Sequence, residues 1–133
     1  MILHASGPFD VKLTPQRPDS IVAQVANLAR MSIDKQFHGE LEATSKGEMI
    51  SVQTDIEGSA GYVAMERVTG TLKGRQGSFV LQHSGTMSRG VATLSITVVP
   101  NSGTAELKDM TGKMNIIIAP GGKHSYEFDY TVE

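Results

Sequence analysis

The sequence predicts an all-β domain in which seven or eight antiparallel strands close into a β-barrel, with at most one short helical turn. Apolar and polar residues alternate along several segments, which is typical of strands with one buried face. Glycine-rich turn signals separate these segments at short intervals, and no long stretch has helical periodicity. We favour a barrel over a sandwich because consecutive hairpins share one apolar face, and closing the sheet on that face also removes its edges.

The length and the cysteine count indicate a single domain that needs neither a disulfide nor a structural metal to fold. The chain has 133 residues, so one domain spans residues 1–133, and it contains no cysteine. The first ten residues have neither the basic region nor the apolar run of a signal peptide, and no stretch approaches the roughly 20 apolar residues of a membrane helix. We therefore expect a cytoplasmic protein with no membrane partner.

The charge distribution argues against nucleic-acid binding. Twelve basic and 14 acidic residues give a net charge of −2 and are spread along the chain. A nucleic-acid binder needs a clustered basic face to neutralise phosphates. We interpret the charges as a mixed, solvated surface and expect no nucleic-acid partner.

The clearest pattern is a hairpin made of two β-rich segments around a glycine-bracketed turn. We predict that Arg75-Gln76 is its two-residue loop, which places Leu72 opposite Phe79 and Glu66 opposite Gly85. A shift by one residue would mix polar and apolar side chains on both faces. The apolar face then carries Ala64, Val68, Leu72, Phe79 and Leu81.

Other segments complete the predicted sheet. Strands are predicted for residues 9–13, 92–98, 114–119 and 126–132, with a turn at residues 88–91. Residues 31–41 are interpreted as one long strand that bends at Gly39. Residues 21–28 form either a loop or a single helical turn, and Thr104 is placed to cap a short turn through Leu107.

Several of these segments resemble a family of proteins. Residues 61–72, 74–85 and 98–107 resemble blocks of a bacterial family of small uncharacterised proteins, a domain of unknown function, and residues 37–41 and 126–130 match weaker blocks. The resemblance implies an eight-stranded barrel of the kind seen in allene oxide cyclases and dirigent proteins, and it implies no activity. Ala105 and Asp109 depart from the family pattern, in which glycines are expected.

Glu66 and His83 are the main candidates for chemistry. Both lie on the predicted inward face, diagonally across the hairpin, where an unpaired charge would be costly. One interpretation is a general acid/base couple in a ligand pocket, with Gly85 leaving room for the ligand. The other is a satisfied buried polar pair.

Three tyrosines extend the candidate site. Tyr62, Tyr126 and Tyr130 fall on predicted inward faces, with Asn115 placed alongside. As ligand-binding residues they would offer hydroxyl and amide donors to a carbonyl-bearing ligand. As core residues they would fill the barrel, with their hydroxyls bonded to the backbone.

The sequence contains no recognisable metal or nucleotide motif. The four histidines have none of the spacings typical of zinc sites, and there is no cysteine to join them. The glycines around the hairpin do not have the spacing of a dinucleotide-binding loop, and no helix follows them. We therefore expect no metal and no cofactor.

Three functions are compatible with this pattern. The first is a module that binds an apolar or amphipathic small molecule. The second is an isomerase or cyclase in which Glu66 and His83 transfer protons while Tyr62 or Tyr130 orients the substrate. The third is a fully packed structural or interaction barrel. The free volume inside the barrel distinguishes the first two from the third.

Outward-facing Val63, Met65 and Val80 also lead us to expect a homo-oligomer, most simply a dimer.

Overall fold

The protein is a closed, antiparallel, eight-stranded barrel, as predicted. Its computed structural model describes residues 1–17 and 20–132. Each strand pairs with the next along the chain, and the last pairs with the first. The strands are β1 (Leu3–Gln16), β2 (Ala29–Phe37), β3 (Leu41–Gln53), β4 (Ala60–Leu72), β5 (Arg75–Ser88), β6 (Val91–Val98), β7 (Thr111–Ile118) and β8 (His124–Thr131).

Two short helical segments accompany the strands, where the sequence analysis allows at most one. They are α1 (Ile21–Val25) and a 3-10 turn over Ala105–Leu107. The prediction that Thr104 caps this turn is wrong: its hydroxyl makes no cap hydrogen bond and instead accepts one from the Ser78 backbone N–H at 3.0 Å. No helix among the described residues has the length and apolar character needed to cross a membrane.

Inward side chains fill most of the barrel, and a loop closes one of its ends. The loop between β6 and β7 carries the 3-10 turn and buries Leu107 and Met110, each 1% exposed, among the inward residues. The aromatic part of this core comes from both halves of the chain. It comprises Phe9, Phe37, Phe79, Tyr126, Phe128 and Tyr130.

The β4–β5 hairpin has the predicted faces but not the predicted register. Its loop is Lys73-Gly74, with φ angles of 45° and 84°, and Leu72 pairs with Arg75. Two positive φ angles give the loop the twist that suits a two-residue hairpin, which explains why the turn forms there. Leu72 was predicted to pair with Phe79, so its partner is displaced by four residues along β5. An even displacement leaves the same side chains facing inward, and Phe79 is accordingly only 1% exposed.

The segment interpreted as one bent strand is a second hairpin. β2 ends at Phe37, and β3 begins at Leu41. Gly39 lies between them with a φ of +92°, a left-handed conformation that glycine adopts without steric cost. A tight turn, not a bulge, therefore explains this glycine.

Both departures from the family pattern have a structural counterpart. Ala105 and Asp109 have φ angles of 51° and 64°, in the region that glycine occupies most easily. The backbone of this loop thus takes the conformation that the glycines of the family pattern would favour.

Candidate functional site

Four polar side chains are buried together in the middle of the barrel. They are Lys35 on β2, Ser45 on β3, Glu66 on β4 and His83 on β5, and none is more than 6% exposed. Alternation turns each of them inward on one of four neighbouring strands, and the strand register brings them to one level, with Lys35 paired directly with Ser45. We call these four residues the polar cluster.

Glu66 is the centre of the polar cluster. Its Oε1 accepts a hydrogen bond from Lys35 Nζ at 2.9 Å and lies 2.6 Å from His83 Nε2. Its Oε2 accepts a hydrogen bond from Ser45 Oγ at 2.6 Å. Glu66 and His83 therefore both face the interior and interact directly, as predicted, whereas their role as an acid/base couple stays a prediction.

Lys35 was not among the candidates, although its position carried a signal. Ile33 and Phe37 flank it at the same parity of β2 and are both buried. Its ammonium group lies 5.2 Å from the Phe9 ring centroid and 5.6 Å from that of Phe37. The ring faces and the Glu66 carboxylate together replace the water that a buried cation loses.

The Glu66 carboxyl group stays ionised at neutral pH. Burial raises its pKa, but the hydrogen bonds from His83 and Ser45 and the charge of Lys35 outweigh burial and lower the pKa to about 2. Within the polar cluster, one buried negative charge therefore balances one buried positive charge.

Tyr62 connects the polar cluster to the outer part of the barrel. Its hydroxyl lies 3.2 Å from His83 Nδ1, and its side chain is half-buried. Burial raises the pKa of Tyr62, and the negative charge of Glu66 raises it further, so the hydroxyl keeps its proton at neutral pH. A hydrogen-bonded chain thus runs from Tyr62 through His83 to Glu66.

Gly85 makes room for Tyr62, not for a ligand beside Glu66. In the observed register Gly85 pairs with Tyr62, and Glu66 pairs with Leu81. A Cβ atom on Gly85 would lie 2.5 Å from Cε1 of the Tyr62 ring. The space that the predicted register left open opposite Glu66 is therefore absent, and the tyrosine ring packs over the glycine instead.

A cavity of about 810 Å³ opens at the end of the barrel where β4 begins and β5 ends. Tyr62 lines this mouth cavity, but neither Glu66 nor His83 does. Asn27 and Leu28, which follow α1, also line it. Most of the other lining side chains come from inward strand positions and are apolar. They include Ala29, Met31, Met49, Ala60, Met87, Ala92 and Leu94.

Tyr126 and Tyr130 are core residues and do not line the mouth cavity. The Tyr126 hydroxyl donates to the His38 carbonyl at 2.7 Å and accepts from the Leu41 N–H at 2.9 Å. Tyr130 is 2% exposed, and its ring stacks on Phe128 at a centroid distance of 5.3 Å. The structure therefore does not bring these two predicted site residues together with Tyr62.

The predicted inward placement of Asn115 is wrong. Asn115 is exposed on the outer face of β7, because its neighbours Met114 and Ile116 take the inward positions.

Among the described residues, no group of three or more His, Asp or Glu side chains is arranged to hold a metal ion.

Comparison with known proteins places the chain in a family. The family described as "Protein of unknown function (DUF3224)" matches residues 5–130. The chain belongs to this family. No match is found among curated proteins.

A solved structure of the family has the same fold. The crystal structure of a DUF3224 family protein of unknown function from Shewanella oneidensis MR-1 superposes on this structure with a TM-score of 0.91. The two sequences are 50% identical. The similarity covers 100% of this chain and 98% of that chain. The family that the sequence blocks resemble is thereby confirmed.

Proposed function

We propose that this DUF3224 protein is a binding module whose mouth cavity holds one apolar or amphipathic small molecule. The observation that carries the proposal is the cavity of about 810 Å³ with its predominantly apolar lining. Ligand sites typically have about 300–1,000 Å³ and combine apolar walls with a few polar groups. A fully packed barrel, the third function considered, has no use for such a volume.

The arrangement of the barrel supports entry from one side. The loop that contains Leu107 and Met110 covers the opposite end, and the interior between the two ends is filled by packed and polar side chains. A bound molecule would therefore sit above the polar cluster, with Tyr62 as its contact to that cluster.

An isomerase or cyclase is the second candidate, and the Glu66–His83 contact of 2.6 Å favours it. Neither residue lines the mouth cavity, so any proton transfer to a ligand would have to pass through Tyr62. We rank binding first because it needs no such transfer. Likeness to allene oxide cyclases and dirigent proteins, and a cytoplasmic location, stay expectations from the sequence.

The binding proposal is tested with N-phenyl-1-naphthylamine, an apolar probe whose fluorescence rises in apolar surroundings. We expect saturable binding of one probe per chain in the wild type, and weaker binding in Ala60→Trp, which places a bulky ring inside the mouth cavity. Thr69→Trp, on the exposed face of the same strand, is the matched control and should bind the probe as the wild type does. Equal binding by both variants would refute the mouth cavity as the site.

A further inference from the structure

The directions of the hydrogen bonds in the polar cluster follow from the charge of Glu66. An ionised carboxylate accepts hydrogen bonds and donates none. His83 Nε2 lies 2.6 Å from Glu66 Oε1, so this nitrogen must carry the hydrogen. The tautomer of His83 is thereby fixed as long as the ring is neutral.

The charge balance of the cluster favours a neutral His83 ring. Lys35 contributes one positive charge and Glu66 one negative charge, and both are buried. A second proton on His83 would leave a net positive charge among four buried groups, which is costly in a region shielded from water. Among the described residues, the only other titratable group within hydrogen-bonding reach of the ring is Tyr62, which is neutral.

The direction of the bond to Tyr62 is then determined. A neutral ring with its hydrogen on Nε2 has a bare Nδ1, which can only accept. The Tyr62 hydroxyl must therefore donate its hydrogen to His83 across the 3.2 Å contact. Among the described residues Tyr62 has no other hydrogen-bond partner, so its oxygen keeps free lone pairs.

We propose that Tyr62 acts as a hydrogen-bond acceptor toward the mouth cavity, so that the cavity prefers ligands whose polar end is a hydrogen-bond donor, such as an alcohol. This inference rests on the proposed binding function and specifies its ligand class. It reverses the expectation that the tyrosines donate to a carbonyl-bearing ligand. His83 is the positioning residue, because it holds the hydrogen of Tyr62 away from the ligand.

Carboxylate ligands should be the least suitable. A carboxylate has no hydrogen to give Tyr62, and its charge would lose water on entering a mostly apolar cavity. Ser51, Gln53 and Thr86 also line the mouth cavity and can donate or accept, so the contribution of Tyr62 must be isolated by substitution.

The first test needs no ligand. A nitrogen-15 NMR spectrum of the histidine rings near neutral pH should show His83 with a protonated Nε2 and an unprotonated Nδ1 that accepts a hydrogen bond. A ring protonated on Nδ1, or on both nitrogens, would overturn the proposal whether or not the mouth cavity binds anything.

The second test compares decan-1-ol with 1-methoxydecane, which lacks the donor, as competitors of N-phenyl-1-naphthylamine. We expect the alcohol to compete about threefold to tenfold better in the wild type, as one additional neutral hydrogen bond would allow. In Tyr62→Phe, with each competitor measured against the probe affinity of that same variant, the alcohol and the ether should compete equally. Decanoate should compete worse than the alcohol.

The outcomes separate the two proposals. If the probe and both competitors bind but the ether or decanoate equals the alcohol, the acceptor role of Tyr62 fails and the binding function stands. If alcohol preference persists in Tyr62→Phe, another lining residue causes it and the proposal is again refuted. If no probe binds, the binding function fails, and the NMR result alone decides the direction of the Tyr62 bond.

Discussion

Lys35, Ser45 and His83 hold Glu66 as a buried carboxylate, and this makes the stability of the barrel depend on pH. The pKa of Glu66 is about 2 in the folded protein, against 4.5 for an ordinary glutamate. The unfolded chain therefore binds more protons between these values. The stabilisation is fully present above about pH 4.5 and is lost as the pH falls toward 2, and it amounts to about 3 kcal/mol.

We expect urea denaturation to show this loss. Between about pH 5 and about pH 2, the free energy of unfolding of the wild type should fall by about 3 kcal/mol more than that of the double variant Lys35→Met/Glu66→Gln. The double variant removes both charges of the pair, so no unpaired buried charge remains. Its exposed carboxyl groups, including Glu40, are unchanged and serve as the internal control. Identical pH dependence in both proteins would contradict the assignment of the low pKa to Glu66.

Ala105 carries a local strain that can be relieved. An alanine in the left-handed region costs about 1–2 kcal/mol, whereas glycine adopts it freely. With a φ of 51° at this position, Ala105→Gly should raise the free energy of unfolding by about 1 kcal/mol. Asp109→Gly should gain less, because aspartate tolerates this conformation better.

The control for Ala105→Gly is Ala92→Gly, at a strand position that lines the mouth cavity, is open to solvent and has no positive φ. That change should destabilise the protein by about 0.5–1 kcal/mol, the usual cost of glycine in a strand. Destabilisation by both substitutions would mean that the backbone at residue 105 is not strained.

The candidate site was only half predictable at the level of single residues. Alternation along the hairpin was enough to place Glu66 and His83 inside, because parity does not depend on register. Ser45 lies on a strand that the sequence does not clearly delimit, and Lys35 has the residue type that is most often exposed, although it shares the parity of Ile33 and Phe37. Asn115 follows the alternation with Met114 and Ile116 and points outward, but the uninterrupted apolar run of residues 116–118 hides that alternation in the sequence.

Strands β3 and β4 approach each other closely at Gly70 on β4. A Cβ atom there would overlap the carbonyl oxygen of Glu42 and lie 2.6 Å from Cα of Ala43. At Gly61, on the same strand, the nearest atom would be the Gly85 carbonyl oxygen at 3.8 Å, an ordinary contact. The two glycines therefore form a matched pair.

We expect Gly70→Ala to destabilise the barrel by about 2–3 kcal/mol, because the strands must move apart to admit the methyl group. Gly61→Ala should change stability by less than about 0.5 kcal/mol. Thermal or urea denaturation of both variants measures the difference. Equal stability of the two would show that the sheet absorbs the added atom without cost.

The elements also show which information a periodic pattern lacks. Strand identity and inward faces follow from alternation, but the β4–β5 register depends on the loop, which is Lys73-Gly74 and not the predicted Arg75-Gln76. Displacements by an even number of residues leave both faces intact, so hydrophobicity alone cannot distinguish them. Only the φ angles that a loop requires select one register.

An apolar strip lies on the outer surface of β3 and β4. Val63 is 54% exposed and Met65 is 51% exposed, and Ile50, which pairs with Val63, is 45% exposed. Val80 on β5 is only half-buried. Such a strip is more stable when covered, so we continue to expect a symmetric homodimer.

Light scattering tests this expectation directly. The wild type should have twice the 14.2 kDa mass of one chain at high micromolar concentration, and Met65→Lys should reduce it to one chain mass. Thr69→Lys, which adds the same charge to the exposed face of the same strand, should leave the dimer intact. A wild-type mass of 14.2 kDa under these conditions would rule out the dimer.

The closure of the barrel also has a consequence for how fast and in what order the chain folds. The other ladders join consecutive strands, but the β1–β8 ladder joins distant ones, and the contacting side chains of His4 and Asp129 are 125 residues apart. Bringing such distant segments together costs more chain entropy than forming a hairpin, so this ladder should form after the rate-limiting step. Ala5→Gly, on β1 opposite Phe128, should then accelerate unfolding and leave the refolding rate unchanged. Slower refolding of this variant would instead show that the two ends of the chain meet early.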